Sequence, residues 1–218
     1  MLIMRLITFL ALIALSLAAM AFEGGNPQAG KQKAAVCAGC HGADGNSPSG
    51  QFPNLAGQHA SYLYEQLRLF KSGQRKNPIM QPQAAGLSDQ DMKNLAAYFS
   101  SQTMQVGAAD KALVEQGEHL FRGGVPDKDI PACAGCHGPA GMGNPPAKYP
   151  RISGQKAQYL AQQLQDYRAG KRGNYPKGKI MQGVAARLTD KQIKAVASFL
   201  SGLHLGNTGL RLGNDPAH

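Results

Sequence analysis

Cys37-Ala38-Gly39-Cys40-His41 and Cys133-Ala134-Gly135-Cys136-His137 are two copies of one pentapeptide, and together they use all four cysteines of the 218-residue chain. Two thiols three residues apart can reach the two vinyl groups of one haem and form thioethers. The histidine that follows stands where its imidazole can bind the iron from one face, so C-x-x-C-H is the attachment signature of haem c. Other uses of C-x-x-C fit less well. A thioredoxin-like redox pair lies near a β-α-β pattern, which this chain lacks. A zinc site of four thiolates gives no reason for a histidine at the same offset in each copy. The expected cofactors are two covalently bound haem c groups. Cys37, Cys40, Cys133 and Cys136 are then the attachment points, and His41 and His137 are axial ligands.

The remaining axial position decides what each iron can do. Histidine with methionine closes the iron and suits it to electron transfer, whereas an open position admits ligands or substrates. Met80 and Met181 stand at equivalent places in the two copies, each between its cysteine motif and the last helix, and are the expected sixth ligands. Met92 pairs with Ile193 on an apolar stripe, so it reads as core. Met104 has no counterpart, and Met142 follows His137 too closely to cross to the other face. His59 matches Lys156 and His119 falls opposite Gln32, while His204 and His218 are terminal.

The elements that position these groups repeat as well. Pro53-Asn54-Leu55-Ala56-Gly57-Gln58 answers Pro150-Arg151-Ile152-Ser153-Gly154-Gln155, and Ile79-Met80-Gln81 answers Ile180-Met181-Gln182. Leu87-Ser88-Asp89 answers Leu188-Thr189-Asp190. The second copy carries small insertions, one around Asn174 to Gly178. Each copy is small for an unaided core, and a haem supplies the missing apolar bulk. Leu63, Leu67 and Phe70 fall at helical spacing, as do Leu160, Leu164 and Tyr167. Ser88 with Asp91 and Thr189 with Gln192 cap the final helices, whose faces carry Met92, Leu95, Ala96 and Phe99, then Ile193, Val196, Ala197 and Leu200. Asn26-Pro27 reads as a cap followed by proline at the first helical position, and its counterpart helix runs from about Lys111 to Phe121. No alternating strand pattern stands out. The expectation is an all-α fold.

Residues 1–21 contain Arg5, an apolar run from Leu6 to Leu15 and then Ala19-Met20-Ala21, the layout of a cleavable export signal. A retained anchor is the alternative, although the run is short for a bilayer span. Removal of the leader takes the net charge from +10 to +9. The basic residues are scattered, among them Arg68, Lys71, Arg75 and Lys76, then Arg168, Lys171, Arg172, Lys177 and Lys179. They suit a solvated face or a docking surface; nucleic acid is not expected in an exported chain. The expected division is 1–21 leader, 22–102 first domain, 103–110 linker, 111–204 second domain and 205–218 tail.

The C-A-G-C-H-G motifs, the P-N-L-A-G-Q and P-R-I-S-G-Q loops, the two I-M-Q segments and Phe121-Arg122-Gly123-Gly124 resemble the dihaem cytochrome c4 family, and each half resembles a class I cytochrome c. The resemblance implies two tandem class I domains, each wrapped around one covalent haem c and related by a pseudo-twofold axis. It also implies that the Pro53 and Pro150 carbonyls accept a hydrogen bond from the ligand histidines. The implied role is a periplasmic shuttle of single electrons from a quinol-oxidising complex to a terminal oxidase, without catalysis, loosely associated with the membrane at most. An electron-transfer subunit of a larger dehydrogenase is the alternative. A dihaem peroxidase-like or thiosulfate-oxidising enzyme fits less well, because it needs an open iron or an unusual ligand. Lys179, next to the second ligand segment, suggests a higher potential for the haem at His137.

Overall fold

The computed structural model describes residues 22–204 and 210–213; the leader and most of the tail lie outside the described residues. The first half runs through α1 (Pro27–Lys33), a 3-10 turn (Ala34–Cys37), α2 (Ala38–His41), α3 (Ala60–Lys71), α4 (Met80–Ala85) and α5 (Asp89–Ser100). The second half repeats the order with α6 (Val114–Gly123), α7 (Ala134–His137), α8 (Ala157–Arg168), α9 (Pro176–Ala185) and α10 (Asp190–Gly202). Among the described residues, β-pairing is limited to isolated bridges. No described helix is long and apolar enough to cross a membrane.

The helix boundaries follow from local chemistry. Asn26 Oδ1 accepts the amides of Gln28 and Ala29 at the start of α1, with Pro27 in the first helical position. Ser88 with Asp91 and Thr189 with Gln192 form complete capping boxes at the starts of α5 and α10. In each half the first and last helices cross closely, α1 on α5 and α6 on α10. The crossings depend on glycine: a Cβ on Gly30 would lie 2.0 Å from Asn94 O, and one on Gly117 would lie 2.4 Å from Ala195 O. Helices α3 and α8 then close the two cores. Leu63, Met92, Leu95 and Phe99 pack in the first; Leu120, Phe121, Leu160, Ile193, Val196 and Phe199 pack in the second.

The repeated glycine loops pair the halves with each other. Gln155 Oε1 accepts the Asn54 amide at 2.7 Å and its Nε2 donates to Asn54 O at 2.8 Å. Gln58 does the same to Arg151, accepting its amide at 2.9 Å and donating to its carbonyl at 2.8 Å. Because Gln58 corresponds to Gln155 and Asn54 to Arg151, the contact is reciprocal, as a twofold-related interface requires. The segment between the halves is buried at Met104 and Ala109. Part of the tail lies against it, for Ala109 N donates to Arg211 O and Gly213 N to Ala109 O.

Candidate haem-binding sites

Each cysteine motif forms one helical turn, α2 or α7, and a four-residue turn puts its first cysteine, second cysteine and histidine on adjacent faces. Glycine ends both turns, with φ +79° at Gly42 and +77° at Gly138. At Gly42 a Cβ would also lie 2.2 Å from Asn46 O, so the chain turns there only with glycine. All four cysteines are free of disulfides. Before haem attachment, burial raises the pKa of the Cys37 thiol and pushes that of Cys133 up to about 11.

His41 and His137 are both buried. His41 Nδ1 lies 2.9 Å from Pro53 O, and His137 Nδ1 lies 2.9 Å from Pro150 O. A carbonyl only accepts, so Nδ1 carries the proton and donates, leaving the Nε2 lone pair for a metal. Burial holds both imidazoles below the ordinary histidine range, while the proline carbonyl pulls more weakly the other way. Neutral rings with Nε2 free are what an iron ligand needs. An aromatic ring flanks each histidine: Phe52 at 6.2 Å from His41 and Tyr149 at 6.0 Å from His137, between ring centroids. Paired thiols within one turn, an oriented neutral imidazole and a flanking aromatic ring suit haem c in both halves.

Met80 is half-buried and opens α4. Asn77 Oδ1 accepts its amide at 2.8 Å and that of Ile79 at 3.0 Å, which sets where the turn begins. Met181 lies inside α9, half-buried against the second core. The insertion in copy two lengthens that helix at its start, where Tyr175 precedes Pro176. The other sulfurs have separate surroundings. Met92 is in the first core, and Met104 is buried beside Gly57 and Gly154 where the halves meet. Met142 Sδ accepts from Ser153 Oγ at 3.3 Å, and its carbonyl accepts from His59 Nε2 at 2.6 Å.

Lys179 is exposed, so solvent weakens any field it exerts on the second site. Lys177 is closer to that site's histidine flank: it donates to Ala147 O and sits 4.7 Å from the Tyr149 ring centroid. Motif reading counted Lys177 only among the basic residues of the second copy, and it passed over Phe52 with Tyr149 and the pairing role of Gln58 with Gln155. For the glutamines the available signal was a polar residue repeated at the end of both loops; repetition alone does not separate a residue that serves haem from one that joins the halves.

Two helical units that each present a C-x-x-C-H turn and a carbonyl-oriented histidine define a dihaem c-type cytochrome. The cytochrome c family matches residues 27–103 and again 114–204. Cytochrome c4 of Pseudomonas aeruginosa is 50% identical over 193 residues, covering 88% of this chain and 96% of that protein. A protein of Stutzerimonas stutzeri described as a thiosulfate dehydrogenase electron acceptor is 42% identical over 207 residues, covering 91% and 94%. The crystal structure of reduced recombinant cytochrome c4 from Pseudomonas stutzeri matches with a TM-score of 0.80 at 50% identity, covering 83% of this chain and 100% of that one. The chain belongs to the cytochrome c4 family. It is an electron-transfer protein of two tandem class I domains carrying two covalent haem c groups.

Proposed function

We propose that this chain shuttles single electrons in the periplasm from a quinol-oxidising complex to a terminal oxidase. In this reading Cys37 and Cys40 hold one haem, and Cys133 and Cys136 hold the other. His41 with Met80 and His137 with Met181 are the axial ligands, while the Pro53 and Pro150 carbonyls hold the imidazoles in orientation. When bound, each haem supplies a one-electron iron couple. The observation that carries the assignment is the pair of equivalent imidazoles, each buried and bonded at 2.9 Å through Nδ1 to a proline carbonyl. That bond fixes the ring and strengthens Nε2 as a donor. Buried ligands that keep their places during electron transfer reorganise little, which favours a carrier.

The division into 22–102 and 111–204, with 103–110 between them, is supported by the two separate cores. Export rests on the leader pattern of residues 1–21 and on family likeness. Likeness to a thiosulfate dehydrogenase electron acceptor favours a second reading, in which a periplasmic dehydrogenase is the donor. Stopped-flow reduction of the purified dihaem protein separates the two. Rapid reduction by a quinol-oxidising complex, but not by thiosulfate dehydrogenase with thiosulfate, supports the first reading; the reverse supports the second. A high-spin spectrum with carbon monoxide binding to the unmodified reduced protein overturns the closed-iron carrier.

A further inference from the structure

Lys177 and Met181 stand one turn apart in α9, so both side chains leave the same face of that helix. Lys177 is half-buried; its ammonium donates to Ala147 O and sits 4.7 Å from the centroid of the Tyr149 ring. Both partners belong to the loop that leads into Pro150, and that loop is closed on itself. Asn144 N donates to Tyr149 O at 3.0 Å, Tyr149 N donates to Asn144 O at 3.0 Å, and Asn144 Oδ1 accepts the Ala147 amide at 3.2 Å. The Tyr149 ring lies 6.0 Å from that of His137, and the carbonyl of the next residue, Pro150, accepts from His137 Nδ1 at 2.9 Å. One lysine thus ties the methionine face of α9 to the segment that orients the histidine.

Among the described residues the first half has no such tie. Lys76 precedes Met80 by the same interval, but α4 begins only at Met80, and Lys76 is exposed. There Asn77 starts the turn by accepting the amides of Ile79 and Met80, bonds that stay within the segment itself. Among the described residues no cation lies over Phe52, the ring that answers Tyr149. Beyond their ends the two methionine helices are held alike: Lys71 donates to Leu87 O, and its counterpart Arg168 donates to Leu188 O at 2.6 Å. The halves part company at the start of the methionine helix.

We propose that Lys177 is a positioning residue of the second redox site: it holds the Met181 helix against the histidine loop, which makes Met181 the harder of the two methionines to displace. The inference rests on the reading of Met80 and Met181 as axial ligands. A methionine sulfur leaves its place only when its segment moves, and moving α9 breaks a charge-assisted hydrogen bond and a cation–π contact together. A ligand held in this way keeps the iron closed to outside ligands. Lys177 acts by its reach rather than its charge. Lys179, two residues away and exposed, carries the same charge without the tie and supplies the comparison.

The test is a titration of the oxidised holoprotein with imidazole, a ligand that competes with methionine, at fixed mildly alkaline pH and constant ionic strength. The visible sulfur–iron band is the readout. In Met80→Ala the remaining band belongs to Met181, and in Met181→Ala it belongs to Met80. The Met181 band withstands about threefold more imidazole than the Met80 band, the scale of one partly exposed cation–π contact; equal resistance or the reverse order overturns the proposal. In the Met80→Ala background, Lys177→Met keeps the side-chain length, loses the ammonium and cancels the difference. Lys177→Arg restores most of it, and Lys179→Met leaves it unchanged. If Lys177→Met lowers only the denaturation midpoint and not the resistance to imidazole, the lysine is merely structural and the proposal falls. It falls too if Lys179→Met matches Lys177→Met, since charge alone then accounts for the shift. Failure of the ligand reading shows separately: Met80→Ala then keeps the whole band or loses all of it, and the proposal goes with it. Should Lys177→Met not assemble, the comparison of Met80→Ala with Met181→Ala still decides.

Discussion

Gln155→Leu tests whether the glycine loops hold the two halves together. Leucine keeps most of the side-chain volume, so little cavity forms, but both bonds to the Asn54 backbone are lost. Asn54 and Gln155 are only 1% and 3% exposed, so water cannot easily replace the lost partner. Leaving a buried amide and a buried carbonyl unpaired costs about 1–3 kcal/mol each, so the expected loss is about 2–6 kcal/mol. The equivalent Gln58→Leu change unpairs the backbone of Arg151, which is partly exposed, and the loss there is smaller. Chemical denaturation of the holoprotein, followed by far-ultraviolet circular dichroism and by the Soret band, measures both. Each single substitution uncouples the halves, so the double variant loses less than the sum of the singles. The visible band of the sulfur–iron bond stays unchanged, because neither glutamine touches a ligand. A Gln155→Leu loss below about 0.5 kcal/mol, the ordinary range for surface changes, refutes the reasoning.

Met80→Ala and Met181→Ala each open one iron, so half of the haem becomes high-spin and binds carbon monoxide when reduced; Met92→Ala and Met142→Ala keep the sulfur–iron band and lose stability only. Intact mass of the mature protein equals residues 22–218 plus two haems, and acid acetone releases no haem. Gly117→Ala forces α6 away from α10, because the new Cβ meets Ala195 O at 2.4 Å; overpacking of this kind costs about 1–3 kcal/mol, read as a lower denaturation midpoint. His59 is held below the ordinary histidine range, first by burial and also by the Arg151 charge, against its bond to Met142 O. The folded form therefore binds its proton at lower pH than the unfolded form does. Its contribution to stability is complete above about pH 6.5 and declines as the pH falls from there toward the folded value. Subtracting the stability–pH curve of His59→Gln from that of wild type isolates this slope; parallel curves between pH 7 and 5 contradict it.

Local and covalent features were legible in the chain itself. C-x-x-C-H names its chemistry because thioether attachment needs two thiols and an imidazole within one turn. The capping residues Ser88 and Thr189, and the spacing of Leu63 with Phe70, act within a few residues, so periodicity sufficed for α3, α5, α8 and α10. Repetition also carried the duplication. The tertiary structure decided what each repeated polar residue does. Gln58 and Gln155 reach across to the other half, and a spacing argument confined to one half has no means of registering such a contact. The same holds for charge near the second site. Lys179, closest to Met181 in sequence, points into solvent, whereas Lys177 is brought against Tyr149 by the added turn at the start of α9. Sequence proximity sets which groups are neighbours along the chain, but burial and the packing of one half on the other set which charges are screened and which are felt.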